Sequence, residues 1–453
     1  MKIHKFKYIL LIAALLTLTA NSVRAESDIA HQKRQLQQIE KKWKNDKGSS
    51  ANLQLETLED YLSTGLARNP SLKASFYEWK SAVQKISKEF SLPDPQISYT
   101  DYSKESDKEK EYTVSQAIPW PEKLWFKRSM AVFGSDETHL KYLAKRLEVT
   151  RQIAEAYYEY AYLSKAVLIT QENMKLLMNF ESVAQSKYAS GLTKNQDLLK
   201  IQVELGKLEN ELLSMEDMRR PLMARLIALL NLSSEVQLLW PSDDLENIDM
   251  SADYDDVAQL IIKMQSNNPE LMSFKRNVKS GEQELKLAKR TYVPDFMVSV
   301  AQEKMRPTTM NTQDDPWMIM FSATVPLWFG RNNAEIQEAR ASLQAAEADR
   351  ENKSNELESM LAMAHYKLRD ALRQSRLYKD ALIPKASQTL NAMKSAYESG
   401  GMDFLSLIDA QRMLLNFQLA YYRHNANFNQ RIFEVQALVG EISSHDISKG
   451  EEQ

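Results

Sequence analysis

The sequence predicts a mainly α-helical protein with a smaller β portion, laid out as duplicated α-β-β-α-α halves. The first ground is an internal repeat. Residues 188–202 recur as residues 397–411 at an offset of 209, both opening Tyr-x-Ser-Gly, and the same offset carries Ala228–Leu230 onto Ala437–Val439. A duplication this long sets the architecture. The second ground is the near absence of glycine and proline from residues 123–190 and 332–399, where only Gly134 and Pro384 occur. At about 1.5 Å per residue, either stretch extends near 100 Å as a helix. The third is a pair of short period-two segments bracketed by prolines, which read as β-hairpins.

From the start of the chain, Lys2, Lys5 and Lys7 precede the apolar run Ile9–Leu18 and a small-residue cleavage site, Val23–Ala25, before Glu26. This is the pattern of an export signal. Ten apolar residues are about half of what a membrane-spanning helix requires, so residues 1–25 are expected to be removed on export. Their loss takes four positive charges and no acid from a chain of formal charge −3, leaving −7. Such a balance argues against nucleic acid as a partner. Cysteine is absent, which excludes disulfides, thiolate chemistry and a lipidated N-terminal cysteine. Beyond the signal no run of eighteen uncharged apolar residues occurs, and the composition is that of a long-helix protein, with 11 glycines in 453 residues. Residues 26–52 form a polar segment with Trp43 as its only large aromatic, expected to run along the surface.

The first repeat is expected over 53–240. Leu55, Leu58, Tyr61, Leu62 and Leu66 mark a helix, after which Asn69-Pro70 caps and opens a second helix to about Phe90. Leu92-Pro93-Asp94-Pro95 then leads into a hairpin over about 95–119, closed by Pro119-Trp120-Pro121. The long helix that follows ends at Gly191, and a second one carrying Leu198, Leu199, Leu205, Leu208 and Leu212 returns from it. This is an antiparallel helical hairpin with an apolar seam. After a linker at 241–252, the second repeat over 253–440 answers in order. It has Val257, Leu260, Ile261 and Met264, then Asn268-Pro269, a hairpin over about 295–326, and a helical hairpin turning at Gly400 and Gly401. Residues 441–453 are a tail. Pro221 and Pro384 each interrupt a helical pattern, so a kink or a change of helix is expected at both.

Two hairpins supply four strands, which cannot close a barrel, and lipid tolerates no open sheet edge because unpaired backbone groups cost several kcal/mol each. Self-association under cyclic symmetry removes the edges by building one shared barrel. The alternation fits: Tyr112, Val114, Ile118, Trp317, Ile319, Phe321 and Val325 are suited to lipid, and Thr113, Ser115, Ser322 and Thr324 to a wet lumen. Tyr99, Tyr112, Trp120 and Trp317 at the strand ends suit an interfacial aromatic belt.

The duplicated order, the Leu92–Pro95 approach, the exit Ile118-Pro119-Trp120-Pro121-Glu122-Lys123 and the two Tyr-x-Ser-Gly tips resemble the TolC-type outer-membrane factor family, over essentially the whole chain after the signal. The exit motif is most similar to the heavy-metal efflux branch. The resemblance implies a homotrimer whose 12-stranded β-barrel in outer-membrane lipid continues into a long periplasmic α-helical barrel. It implies the exit duct of a tripartite pump, with a periplasmic adaptor (membrane fusion) protein and an inner-membrane RND-type transporter as partners. No enzyme activity and no cofactor are implied.

Within the resemblance, the glycine turns form the periplasmic tip, and Gly191, Leu192, Gly400 and Gly401 are the adaptor-docking positions. Asp409 matches an inward acidic position of the resting aperture, a second such aspartate falls on Ser406, and Asp403 supplies a carboxylate nearby. Met402 stands where relatives carry an arginine. A ring of three carboxylates repels itself and attracts cations. The alternative is that Asp403 and Asp409 are solvated helix-start acids favouring the helix dipole. The repeat counterpart of Asp409 is Lys200. Of the 20 methionines, Met318 with Met320, and Met360 with Met363 near His365, raise a soft-metal reading against that of adaptable core filler. The six histidines show no metal-ligand spacing, and no nucleophile–base set or phosphate loop occurs. A type I protein-secretion duct and a periplasmic coiled-coil scaffold are the competing functions; the second leaves the paired hairpins unexplained.

Overall fold

The structure is a computed structural model that describes residues 30–41, 43, 55–103, 106–191, 195–242, 245, 256–306, 316–399, 402 and 404–441. Residues 1–25, expected as an export signal, and almost all of the tail lie outside the described residues. After helix α1 (residues 30–41), the first repeat gives α2 (Leu58–Arg68), α3 (Pro70–Glu89), β1 (Gln96–Asp101), β2 (Lys108–Ile118), α4 (Pro121–Ala189) and α5 (Asn195–Leu230). The second gives α6 (Val257–Asn267), α7 (Pro269–Lys289), a 3₁₀ turn (Arg290–Tyr292), β3 (Phe296–Met305), β4 (Trp317–Ala323), α8 (Phe329–Leu377), a π-helical turn (Tyr378–Leu382), α9 (Ile383–Glu398) and α10 (Phe404–Val439). The mainly helical class with a small sheet is as expected. Each half opens with the two helices separated by the Asn-Pro step, so its order written in full is α-α-β-β-α-α.

The chain divides into two compact units, each drawn from both repeats. The first comprises residues 1–41, 75–141 and 270–353. It contains the sheet, whose strands pair antiparallel in the order β1-β2-β3-β4. Trp79 is fully buried and stacks on His139 at 4.2 Å. Polar α1 lies on the surface with one buried side chain, Leu36, and is docked by Gln32, which bonds both Ser135 and Asp136 at 2.8 and 2.9 Å. One apolar side chain at the right helical position and a pair of amide bonds suffice to dock it, a signal too sparse to stand out in a polar segment.

The second unit comprises residues 42–74, 142–269 and 354–453. Its core includes Tyr61, Ile153, Tyr157, Tyr160, Leu226 and Leu230, where α2, α4 and α5 meet. The helix caps are duplicated here. Asn69 accepts from the N–H groups of Ser71 and Leu72 with its Oδ1 and donates from Nδ2 to Leu229 O at 2.9 Å. Asn268 donates likewise to Leu438 O at 2.8 Å. Pro384 behaves as expected, opening α9 directly after the π-helical turn. At Pro221 there is no change of helix: α5 runs from Asn195 to Leu230 with Pro221 inside it. The buried leucines on both sides of the proline, Leu212 and Leu226, hold the helix through a position where local propensity opposes it. Among the described residues, no helix is long and apolar enough to cross a membrane.

Candidate functional site: a two-faced sheet and a paired helical tip

Register sorts the sheet into two chemically different faces. Ile97, Val114, Val300 and Ile319 stand side by side across the four strands. The next row toward the loops is Tyr99, Tyr112, Gln302 and Trp317, and the rows toward the helices bring Val298 beside Phe321 and Ile118 beside Phe296. Almost nothing in the chain covers this face: Ile97 is 81% exposed and Phe321 78%. Tyr99 and Tyr112 lie 5.3 Å apart. Beyond them the row becomes Asp101, Lys110 and Lys304, so charge begins one step past the aromatics. At the other end Trp120 meets Phe296 at 6.1 Å and Tyr292 stacks with Phe329 at 6.2 Å. Six residues separate Tyr112 from Ile118, about 20 Å along a strand. Gln116, the polar intruder, turns its amide to Pro93 O at 2.8 Å and Ala117 O at 2.9 Å.

The opposite face is polar. Ser299 Oγ donates to Ser115 Oγ at 2.9 Å, Thr113 donates to Glu111 at 3.0 Å, and Tyr102 donates to the other oxygen of Glu111. Glu303 is only 6% exposed and is paired with Lys108. Met318 and Met320 lie on this face beside Ala301 and Ser299. They are exposed, as are Met360 and Met363, while His365 is buried. These methionines therefore fill no core within the chain, and His365 does not join the second pair. No cluster of three or more His, Cys, Asp or Glu able to hold a metal occurs among the described residues.

A tie that sequence reasoning missed sits where the strands meet the long helices. The backbone N–H of Trp120 donates to Asp295 Oδ1 at 2.8 Å, and Lys123 Nζ donates to Asp295 Oδ2 at 2.9 Å and Val293 O at 2.8 Å. The exit of the first repeat is thereby bound to the approach of the second. Trp120 and Lys123 stand in the exit motif singled out above and Asp295 at the start of the second hairpin, but pairing them requires the β2–β3 register.

At the other site, four helices converge on a core of Phe180, Ile201, Tyr397, Phe404, Leu407 and Ile408. Gly191, with φ of +72°, makes the first turn in a conformation that L side chains avoid, and it is exposed. Leu192, Gly400, Gly401 and Asp403 lie outside the described residues. Ser406 is half-buried, and the Asp409 carboxylate is 56% exposed with Arg412 Nη1 3.4 Å away. Arg412 forks onto Glu204 through two bonds of 2.8 and 2.7 Å, joining α10 to α5. Lys187 donates to the carbonyls of Tyr397 and Glu398 and lies over the Tyr397 ring. An open cleft lined by Asn179, Phe180, Val183, Lys394, Tyr397 and Leu407 adjoins these contacts. The arrangement binds one helical hairpin to the other through groups the repeat does not share.

The family profile described as Outer membrane efflux protein matches residues 260–441. Those residues, the second repeat almost entire, are similar to that family. The cobalt-zinc-cadmium resistance protein CzcC of Cupriavidus metallidurans is 23% identical over 388 residues, covering 81% of this chain and 85% of its own. Among solved structures, CusC superposes with a TM-score of 0.74 at 13% identity, over 85% of this chain and 92% of that one. The outer membrane protein VceC from Vibrio cholerae gives 0.71 at 16% identity, over 85% and 96%. The fold of these channels thus extends over the first repeat as well. The resemblance to outer-membrane factors is matched by these similarities, with CzcC and CusC among the similar proteins.

Proposed function

We propose that the chain, as a homotrimer, is the exit duct of a tripartite efflux pump, passing small substrates, metal cations among them, from a periplasmic adaptor and an inner-membrane RND-type transporter to the exterior. The observation that carries this reading is the sheet. One face is apolar, exposed and bounded by aromatics and then charges, at a spacing that suits the roughly 25 Å apolar band of a membrane barrel. The other is polar and internally hydrogen-bonded, and both outer strands have open edges. Three copies supply twelve strands and close every edge. The relative named for cobalt, zinc and cadmium resistance supports cations as substrates.

In this reading the paired helical tip is the aperture, with Asp409 and Asp403 beside the axis and Ser406 next to them. Gly191, Leu192, Gly400 and Gly401 offer the adaptor its docking points. The exposed Asp409 carboxylate, shared with a single guanidinium, remains available to a passing cation. Single-channel recording in planar bilayers tests the aperture. Asp409→Ala is expected to change conductance or its dependence on the cation; identical traces would remove Asp409 from the path. Deleting the gene and measuring accumulation of zinc, cobalt and cadmium tests the substrate, with accumulation expected. Normal metal levels together with loss of a secreted protein would favour the secretion duct instead.

A further inference from the structure

The joint between the first repeat's exit and the second repeat's approach is made inside the chain by Trp120, Lys123 and Asp295. Duplication supplies a second copy of every part. Leu92-Pro93-Asp94 answers Val293-Pro294-Asp295, which sets Asp94 in the place of Asp295. Helices α4 and α8 each begin directly after a tryptophan, Trp120 and Trp328, and carry a cation as third helical residue, Lys123 and Arg331. The second exit has one extra residue, Leu327, between its proline and its tryptophan.

This second set of parts is not assembled within one chain, because it flanks β4 and β1, the two edges of the sheet. Asp94 and Arg331 are both exposed, and neither has an ion pair or side-chain hydrogen bond among the described residues. We infer that Arg331 and the Trp328 N–H of one copy clamp the Asp94 carboxylate of the next, fixing the register in which β4 of one copy pairs with β1 of its neighbour. The inference rests on the ring assembly proposed above.

Register parity agrees with it when the two exits are aligned on their prolines. Ile118 faces Phe296 in the internal pair; Pro119 directly follows β2, and Pro326, its counterpart in the second exit, stands three residues past the end of β4. Placing Asp94 as Asp295 is placed therefore sets Val325 opposite Pro95, Ala323 opposite Ile97 and Phe321 opposite Tyr99. Ala323, Phe321, Ile97 and Tyr99 already share the apolar face of their own sheet. A slip of one residue would turn every neighbouring apolar side chain to the polar face, so the clamp and the hydrophobic pattern agree when the extra Leu327, whose N–H turns back to Val325 O, is bulged out between Pro326 and Trp328. Opposite charges meet at the same step.

The chain has no cysteine, which makes the test direct. In outer-membrane fractions, the paired change Asp94→Cys with Arg331→Cys is expected to yield covalent dimers and trimers under a short thiol cross-linker. The internal pair Lys123→Cys with Asp295→Cys should yield none. Asp94→Arg and Arg331→Asp are each expected to lose the heat-resistant trimer band at temperatures where the parent keeps it, and the two combined to restore it. A trimer by native mass with neither cross-linking nor restoration would overturn the clamp while leaving the assembly standing. A monomer throughout would sink the assembly and the clamp together.

Discussion

Arg412 spans α10 and α5 to grip Glu204 with both arms of its guanidinium, and the repeat gives no hint of it, since an offset of 209 places Val203 and Met413 at the matching positions. Hydrogen bonds from Arg412, reinforced by its charge, hold the Glu204 carboxyl below its ordinary 4.5. A carboxyl depressed in the folded state adds stability above its unfolded pKa and loses it as pH falls through the folded one. Arg412→Ala is expected to cost about 1 kcal/mol at neutral pH, a modest figure because the guanidinium is half exposed. The difference from the parent should stay level from neutral pH down to the ordinary carboxylate range and then shrink as pH falls through the lowered folded value, as followed by thermal unfolding in detergent; a constant difference at all pH values would count against the ion pair. Asp409 was legible as an acid near a helix start, because that signal is local in sequence. Its neighbour Arg412 and the bridge to Glu204 were not, because they depend on which helices adjoin.

At the scale of elements, the caps and corners were the most legible part. Asn-Pro stands before both α3 and α7, and each asparagine also reaches across to the last turn of the long helix of its own repeat, at Leu229 and Leu438. Those carbonyls are 209 apart, and the residues just past the helix ends, Asn231 and Gly440, are 209 apart too and both left-handed, with φ of +51° and +83°. A Cβ on Gly440 would lie 2.5 Å from Asn267 O. Gly440→Ala is therefore expected to cost at least about 1–2 kcal/mol from the backbone conformation alone, and Asn268→Ala about 1–3 kcal/mol by leaving Leu438 O unpaired. Asn69→Ala should match the latter. Chemical denaturation of the three variants checks this, and equal stability of parent and Gly440→Ala would contradict the close approach. Hairpins and long helices were legible from period and proline brackets. The docking of α1 and the persistence of α5 through Pro221 were not, since burial of a few leucines overrode the local signal.

Across the whole molecule, composition and the export pattern narrow the class, and the count of four strands per chain points to assembly. What the sequence could not supply was the sorting of residues into rows, because adjacency across strands is a property of register. Detergent-extracted protein is expected to migrate as a heat-sensitive trimer from outer-membrane fractions; a soluble periplasmic monomer would refute the barrel. Trp317→Asp and Phe321→Asp should reduce trimer yield far more than Ser322→Asp, because the first two face the apolar side and the third does not.

The open edges of β1 and β4 also bear on the chain's life before it reaches its membrane. An edge that accepts a neighbour head to tail carries no intrinsic stop: if the rotation per copy closes, a ring results, and if it does not, the same contact propagates into a filament. With Ile319 and Phe321 exposed on the outermost strand, an unescorted chain in water is a seed for such growth. In the proposed ring, closure consumes the last free edge and ends that growth.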